Sequence, residues 1–285
     1  MLVAMRALIR PARLHLALQI RNCATKSDEL LIENSASGLV QMILNRHNGK
    51  NSFSKKFLED IGIAIQGFKN DKNIRVLIIK SNVPGVFCAG ADLKERATMP
   101  ESEVEGFVDK LRGTFTAIEN LPFPTIAAIE GAALGGGLEL AMSCDLRIAG
   151  TKALIGLPET SLAIIPGAGG TQRLPRIIGA AKAKELIFLS KKLNSTEAFN
   201  IGLITESVEE GKASNRANEI ASAIAEKGPI AIRMAKKAIN DGMQVDITNS
   251  FQVEKQCYAQ VIKTNDRKEG LKAFIEKRKP QYNGN

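Results

Sequence analysis

Residues 130–142 are Glu130-Gly131-Ala132-Ala133-Leu134-Gly135-Gly136-Gly137-Leu138-Glu139-Leu140-Ala141-Met142. The apolar run at 125–129 that precedes them is typical of a buried strand. Three consecutive glycines then separate extended residues from a helical pattern that begins near Glu139. A strand, a tight turn and a helix in direct succession predict one repeating unit of an α/β fold.

Extended runs and amphipathic helices alternate on both sides of this junction. Strands are predicted at 30–32, 39–44, 76–79, 125–129 and 145–149. Phe57, Ile61, Ile65 and Phe68 form an apolar stripe at helical spacing. Uninterrupted helical patterns occupy 213–225, 230–239, 246–261 and 267–277. We therefore predict an α/β core over residues 28–212 and a helical region over residues 213–285.

Another helix is predicted close to Pro100. Ser102 and Glu105 have the spacing of a capping box, which predicts that Ser102 caps the helix. An apolar stripe follows at Val104, Val108, Leu111, Phe115 and Ile118.

The amino-terminal segment carries much of the positive charge. The net charge is +9, and residues 1–27 hold five cations and no Asp or Glu. This arginine-rich, acid-free opening predicts a transit peptide over residues 1–27, cleaved near 21–26; a disordered or partner-binding arm is the alternative. Without those five cations, the 39 basic residues fall to 34 against 30 acidic ones. This smaller excess of positive charge suits a polyanionic small ligand at least as well as RNA.

Few residues are available for metal binding or nucleophilic catalysis. The chain has two histidines, and His15 lies in the predicted transit peptide, so only His47 in a polar turn remains. The four cysteines lack metal-ligand spacing, and Cys88 has no evident base partner. No apolar run approaches the ~18 residues that cross a bilayer. We therefore predict no metal and no membrane segment, with chemistry carried by carboxylates and backbone groups.

Two glycine-rich turns are the candidate chemical elements, at residues 87–92 and 134–139. Neither has the sequence of a nucleotide phosphate loop. Glycine lets a ligand atom approach backbone N–H groups, and N–H groups at a helix start favour negative charge. Gly136 precedes Glu139 by three residues, so one short element can present both an N–H group and a carboxylate.

Glu159 is the second candidate carboxylate. It follows Pro158 and precedes the apolar residues 162–166, where a charged side chain is costly unless it is paired or functional. A satisfied structural carboxylate is the alternative for Glu159 alone, and a simple tight corner is the alternative for either turn alone. Two carboxylates beside two such turns favour an active site.

Three runs carry a family resemblance: 88–94 (CAGADLK), 133–141 (ALGGGLELA) and 158–174, which begins Pro158-Glu159 and includes IPGAGGTQRL. In order and spacing they resemble the enoyl-CoA hydratase (crotonase) family over about residues 29–285. The resemblance implies a crotonase-like α/β spiral of ββα units. It also implies that the C-terminal helical region assembles the chain into homotrimers, which pair into hexamers.

The resemblance further implies the functional residues. The N–H groups of Ala91 and Gly136 would stabilise the thioester oxygen of an acyl-CoA substrate, and Glu139 and Glu159 would be the acid/base pair. CoA is then part of the substrate, and no cofactor is expected. The implied contacts to substrate and CoA are Ala89, Asp92, Leu93, Lys94, Phe274 and Lys277, of which the last two reach the CoA of a neighbouring subunit.

A narrower likeness concerns the substrate. Residues 48–52, 91–96, 257–260 and the 274–282 tail resemble a mitochondrial branch of the family. This implies a location in the mitochondrial matrix and hydration of 3-methylglutaconyl-CoA in leucine catabolism. Hydration of short-chain 2-enoyl-CoA in fatty-acid β-oxidation is the alternative. The presence of both glutamates favours hydration over isomerisation.

An AU-rich RNA-binding protein is the rival class. A lysine-rich helix is linked to RNA binding in that branch, but Glu59, Asp60 and Ile63 interrupt the corresponding helix here. No RNA-binding aromatic signature is present. RNA binding is therefore possible but not favoured. A catalytically silent homologue is disfavoured because both glutamates and both turns are present.

Overall fold

A computed structural model describes residues 28–285, so the predicted transit peptide lies outside the described residues. The strands are β1 Leu30–Asn34, β2 Leu39–Leu44, β3 Val76–Ser81, β4 Val86–Cys88, β5 Thr125–Ile129, β6 Ala132–Leu134, β7 Leu146–Gly150, β8 Leu154–Gly156, β9 Lys192–Asn194 and β10 Glu206–Val208. The α-helices are α1 Lys55–Asn70, α2 Leu93–Thr98, α3 Glu101–Glu119, α4 Gly136–Met142, α5 Gly170–Ile178, α6 Ala180–Phe188, α7 Ser195–Asn200, α8 Ala213–Ala225, α9 Pro229–Gly242, α10 Ile247–Ile262 and α11 Asn265–Ile275.

The strands form two sheets. The larger has the order β1-β2-β3-β5-β7-β10, and the smaller has the order β4-β6-β8-β9. All neighbouring strands are parallel except at one edge of each sheet, where β1 pairs with β2 and β9 with β8 in antiparallel fashion. The predicted strands at 30–32, 39–44, 76–79, 125–129 and 145–149 all lie in the larger sheet.

Successive turns of the chain repeat one pattern. β3, β5 and β7 belong to the larger sheet, and the strand that follows each of them, β4, β6 or β8, belongs to the smaller sheet. One or more helices then lead to the next turn. This arrangement is the predicted α/β spiral of ββα units.

Alternating side chains of the larger sheet enter two separate cores. Leu77, Ile79 and Ala127 face the main core, together with the α1 stripe. Val76, Ile78, Ile126, Ala128 and Ile148 pack instead against Ala213, Ala217 and Ala221 of α8. The sheet is therefore covered on both faces, as parallel sheets require. The division at residue 212 stays a prediction, but α8 packs on the core sheet.

The C-terminal helices follow the sequence patterns, and the start of α3 does not. α8 occupies 213–225 as predicted, and α9, α10 and α11 account for the remaining helical patterns. The predicted capping box at Ser102 is wrong, because α3 already begins at Glu101 with Pro100 in the capping position and no side-chain cap. Ser102 is the second residue of the helix and so cannot cap it. No helix within residues 28–285 is long and apolar enough to cross a membrane.

The small sheet determines where the functional residues lie. Because β4, β6 and β8 are parallel, their carboxyl ends meet at one edge. The glycine turn at 90–91 follows β4, Gly136 and Glu139 follow β6, and Glu159 follows β8. Ligands of α/β proteins bind at the carboxyl edge of parallel strands.

Candidate active site

The two glycine-rich turns lie against each other. Gly90 has a φ of +92°. A methyl group added there would lie 2.8 Å from the Leu134 carbonyl oxygen and 3.1 Å from the Gly136 nitrogen. A methyl group on Gly137 would lie 2.1 Å from the Cys88 carbonyl oxygen. Since only glycine permits these approaches, the glycines hold the start of α4 against the end of β4.

The N–H groups of Ala91 and Gly136 are the predicted donors to a substrate oxygen. Phe53 pairs with the residues on either side of Ala91: its N–H donates to Gly90 O at 2.8 Å, and its carbonyl accepts from Asp92 N–H at 3.2 Å. The N–H of Ala91 therefore points away from Phe53. Gly136 opens α4, where an N–H has no acceptor within the helix. Neither N–H donates to another residue in the described part of the chain.

Glu139 is almost fully enclosed but well hydrogen-bonded. Its residue is 2% exposed. Its Oε1 accepts from Gly170 N–H at 2.7 Å and from Ala168 N–H at 2.9 Å. Burial raises the pKa of Glu139, while these two N–H groups and the charges of Arg173 and Arg112 oppose the rise. Donors aimed at a carboxylate favour its ionised form.

Glu159 has a different environment. It begins a 3-10 turn, Glu159–Leu162, and is half-buried. Its Oε2 is buried and has no hydrogen-bond partner among residues 28–285. Burial and, to a smaller extent, the negative charge of Glu139 raise the pKa of Glu159 to about 7. A methyl group on Gly135 would lie 3.1 Å from Glu159 Oε1, so this carboxyl group lies over the second glycine turn.

The structure thus brings together the four residues predicted to do chemistry. Ala91 and Gly136 present two N–H groups with no acceptor among residues 28–285, the arrangement that a developing oxyanion requires. Glu139 is held by two N–H donors that suit a carboxylate, whereas Glu159 Oε2 has no hydrogen-bond partner among residues 28–285, so Glu159 more readily keeps a proton. A base and an acid beside one oxyanion site can move two protons during one reaction.

The predicted substrate and CoA contacts near the first glycine turn are Ala89 and residues 92–94, and these residues differ in exposure. Ala89, Leu93 and Lys94 are exposed. The carboxylate of Asp92 is occupied, because it caps α2 and pairs with Arg46 at 2.8 Å. Burial of Asp92 disfavours ionisation, but the Arg46 and backbone hydrogen bonds outweigh it and lower its pKa. Roles for these residues in substrate or CoA binding stay predictions.

The predicted C-terminal contacts lie at the end of α11. Phe274 is 84% exposed despite its apolar ring. Lys277 follows the helix in a left-handed conformation, with a φ of +54°. Their predicted contact with the CoA of a neighbouring subunit concerns a second chain and stays a prediction.

Cys88 is a packed thiol in this site. Burial raises its pKa to about 12, and its Sγ donates to the Asn51 carbonyl oxygen at 3.0 Å. A thiol of this kind is neutral and unsuited to nucleophilic attack. Within residues 28–285, no group of three or more His, Cys, Asp or Glu side chains is placed to hold a metal.

Sequence patterns missed the residues that support the site. Asn51 is fully buried with a φ of +56°, and its Nδ2 donates to Ser81 Oγ at 2.8 Å and Phe87 O at 2.9 Å. Phe53 packs beside Gly136. Both lie in a polar stretch that resembles an ordinary surface turn in the sequence. Arg173 belongs to the 158–174 run, but its contacts could not be predicted from the sequence.

Comparison with known proteins places this site in a family. Residues 34–285 match the family described as Enoyl-CoA hydratase/isomerase. The methylglutaconyl-CoA hydratase, mitochondrial, of Rattus norvegicus is 54% identical over 264 residues, which cover 90% of this chain and 84% of the relative. The enoyl-CoA hydratase domain-containing protein 2, mitochondrial, of Homo sapiens is 46% identical, with 97% and 98% covered. The crystal structure of enoyl-CoA hydratase from Bacillus anthracis superposes with a TM-score of 0.88 at 48% identity, covering 90% of this chain and all of that one.

Proposed function

Because the chain belongs to the enoyl-CoA hydratase/isomerase family, we propose that it is an enoyl-CoA hydratase. It adds water reversibly, in the syn sense, across the double bond of a 2-enoyl-CoA thioester. One observation carries this proposal: two glutamates with unequal hydrogen bonding lie beside two N–H groups that have no acceptor within residues 28–285, at the carboxyl edge of the small sheet.

The thioester oxygen binds to the N–H groups of Ala91 and Gly136. Addition of water oxygen at the β-carbon places negative charge on that oxygen, and each preorganised donor stabilises the charge by roughly 3–4 kcal/mol. Glu139 accepts a proton from the attacking water, because its two N–H donors favour the ionised carboxylate. Glu159 gives its proton to the α-carbon, because burial raises its pKa to about 7. In this proposal both carboxyl groups act on the same face of the double bond, which makes the addition syn.

The substrate we propose is 3-methylglutaconyl-CoA, as in leucine catabolism. This proposal is supported by relatives named methylglutaconyl-CoA hydratase that are 53–54% identical to the chain. Hydration of short-chain 2-enoyl-CoA is the second candidate, supported by the B. anthracis structure named enoyl-CoA hydratase.

A thioester panel tests this function. Purified protein would be assayed with 3-methylglutaconyl-CoA, crotonyl-CoA and longer 2-enoyl-CoA thioesters, by following loss of the conjugated thioester absorbance. We expect the highest kcat/KM with 3-methylglutaconyl-CoA. A clear preference for crotonyl-CoA would move the assignment to the second candidate. Absence of hydration with every thioester would contradict the proposed function.

We also propose that the chain assembles as a homotrimer, or as a hexamer of paired trimers. The support is a set of large apolar side chains that are exposed on or next to the C-terminal helices, where a partner surface could cover them: Met243, Ile247, Phe251, Leu271, Phe274 and Ile275. In the trimer, Phe274 would stack on the adenine of CoA bound by the neighbouring subunit, and Lys277 would face its phosphates.

Substitution of the exposed ring tests this arrangement. We expect Phe274→Ala to raise KM for the CoA thioester several-fold, since base-aromatic stacking contributes about 1–3 kcal/mol in other proteins. kcat should change little. Phe188→Ala, which removes another exposed ring, is the control and should leave KM unchanged. Light scattering would report assembly. An unchanged KM in Phe274→Ala would contradict the shared CoA site.

Two further proposals concern location and RNA. Relatives named as mitochondrial support a mitochondrial location, and we propose the matrix as the compartment.

RNA binding stays a disfavoured prediction. On α1, Lys55 is already paired with Glu103, and the interrupting Glu59 and Asp60 remain part of the same helix.

A further inference from the structure

The loop at 166–170 supports Glu139 through one peptide group in particular. The Ala168 N–H donates to Glu139 Oε1 at 2.9 Å. The carbonyl of the same peptide group belongs to Gly167, and it accepts from Arg112 Nε at 3.0 Å. Arg112 and the catalytic carboxylate are therefore joined through opposite ends of one planar unit.

Two helices hold this loop. On α3, Val108 lies one turn before Arg112, and a methyl group on Gly167 would lie 2.9 Å from Val108 Cγ1. From α5, Arg173 Nη1 donates to Ala168 O at 3.0 Å, and Glu119 holds Arg173 at 2.7 Å. Consecutive carbonyls of the loop are thus bound by two arginines, which leaves its N–H groups facing Glu139.

Arg173 and Arg112 differ in side-chain exposure and in their ion-pair partners. The Arg173 side chain is 11% exposed and is occupied by Glu119. The Arg112 side chain is 51% exposed, and its other contact is Asp109 at 2.8 Å on the same helix. Surface pairs of this kind contribute little to stability. The bond from Arg112 to Gly167 is therefore the contact that connects it to the site.

A guanidinium at the carbonyl end of a peptide polarises that peptide. Its N–H becomes a stronger donor, as in other linked hydrogen bonds. The charged groups that face Glu139 are Arg112 from α3, Arg173 from α5, and Glu159 from the turn after β8; Glu119 offsets Arg173. Asp109 likewise offsets Arg112, and the charges of Arg173 and, to a smaller extent, Arg112 favour an ionised Glu139.

We propose that Arg112 is a positioning residue for hydration: through the 167–168 peptide it keeps the Ala168 N–H on Glu139 and holds that carboxylate in its ionised, water-activating form. This inference rests on the proposed role of Glu139 as the base. Arg112 touches neither reacting carbon and acts only through the loop.

Arg112→Met tests the proposal, because methionine keeps the length of the stem and removes both the donor and the charge. We expect kcat to fall about tenfold or more, as small misplacements of catalytic groups do, with KM little changed. Loss of a cation raises the pKa of Glu139. Since the base must be ionised, the acidic limb of the kcat profile should move to higher pH.

Two further variants separate the causes. Arg112→Lys keeps the charge, so the acidic limb should stay closer to that of the unsubstituted protein. Arg176→Met removes an exposed arginine of α5 whose side chain, within residues 28–285, bonds only to Gln172, and should change neither kcat nor the limb. The loss in Arg112→Met should be equal for crotonyl-CoA and 3-methylglutaconyl-CoA. A loss confined to the substrate with a distal carboxylate would overturn the proposal and make Arg112 a substrate-binding group.

An unchanged kcat in Arg112→Met, or a lower kcat without movement of the acidic limb, would also overturn the proposal. Either result leaves the hydratase function standing if the unsubstituted protein hydrates a thioester. If that protein is inactive with every thioester, the proposed function fails instead. In that case an NMR titration of the Glu139 carboxyl group still tests Arg112, because its pKa should be higher in Arg112→Met.

Discussion

Glu139→Gln and Glu159→Gln should each lower turnover by at least about 100-fold, with modest effects on KM, as expected for a lost acid or base. In Glu139→Gln, the amide oxygen of the new side chain can still accept the N–H groups of Ala168 and Gly170, but the amide cannot take a proton from water. In Glu159→Gln, the amide fills the same space as the native carboxyl group and has no acidic proton for the α-carbon. The measurement is kcat and KM with the preferred thioester.

Glu105→Gln is the matched control, because Glu105 is an exposed carboxylate of α3, and its turnover should be unchanged. Glu139→Gln should also change the titration of the remaining glutamate, Glu159. In Glu139→Gln the negative charge beside Glu159 is gone, so the pKa of Glu159 should fall below about 7. Near-normal turnover in either catalytic variant would remove that glutamate from the mechanism.

Ala91→Pro should lower kcat by about 10²–10³, the cost of losing one oxyanion donor, or roughly 2.7–4 kcal/mol. Proline lacks the N–H, and no hydrogen bond to another described residue depends on that group. The Phe53 pairing with Gly90 and Asp92 can persist, because those bonds use neighbouring residues. The measurement is single-turnover rate, which separates chemistry from product release.

Ala91→Gly is the control for this substitution, because it keeps the N–H and should retain most of the activity. Thermal unfolding of both variants would verify that the first turn still folds. A folded Ala91→Pro protein with turnover within a few-fold of the unsubstituted protein would exclude Ala91 as an oxyanion donor.

Five of the six strands of the larger sheet could be predicted from sequence, whereas its three-residue strand β10 and the smaller sheet could not. Strands such as 39–44 are long enough for an apolar pattern to be recognised. The strands β4, β6, β8 and β9 have three residues each, shorter than the four to eight residues over which alternation is informative. α4 has seven residues, all of them buried, so it has no amphipathic stripe.

The two glycine turns indicated a candidate site, because close backbone approaches require glycine, and the family resemblance implied the roles of Ala91, Gly136, Glu139 and Glu159. The unequal environments of the two glutamates could not be predicted. They depend on N–H groups of residues 168 and 170 that reach Glu139 across about thirty positions of sequence. Arg112 and Asn51 were missed for a similar reason, since an exposed helix position and a polar turn give no signal of what lies opposite in space.

The spiral also makes the chemistry modular. Each successive turn places its proposed functional groups at the same position, just after its small-sheet strand: an oxyanion donor after β4, a second donor and a base after β6, and an acid after β8. The group after β8 stands on a half-buried 3-10 turn, whereas those after β6 stand on a buried helix. Exchange of the loop after β8 can therefore introduce a different acid, or none, while the N–H groups of Ala91 and Gly136 still bind the thioester oxygen. A fold built this way can acquire a new reaction by revising one turn.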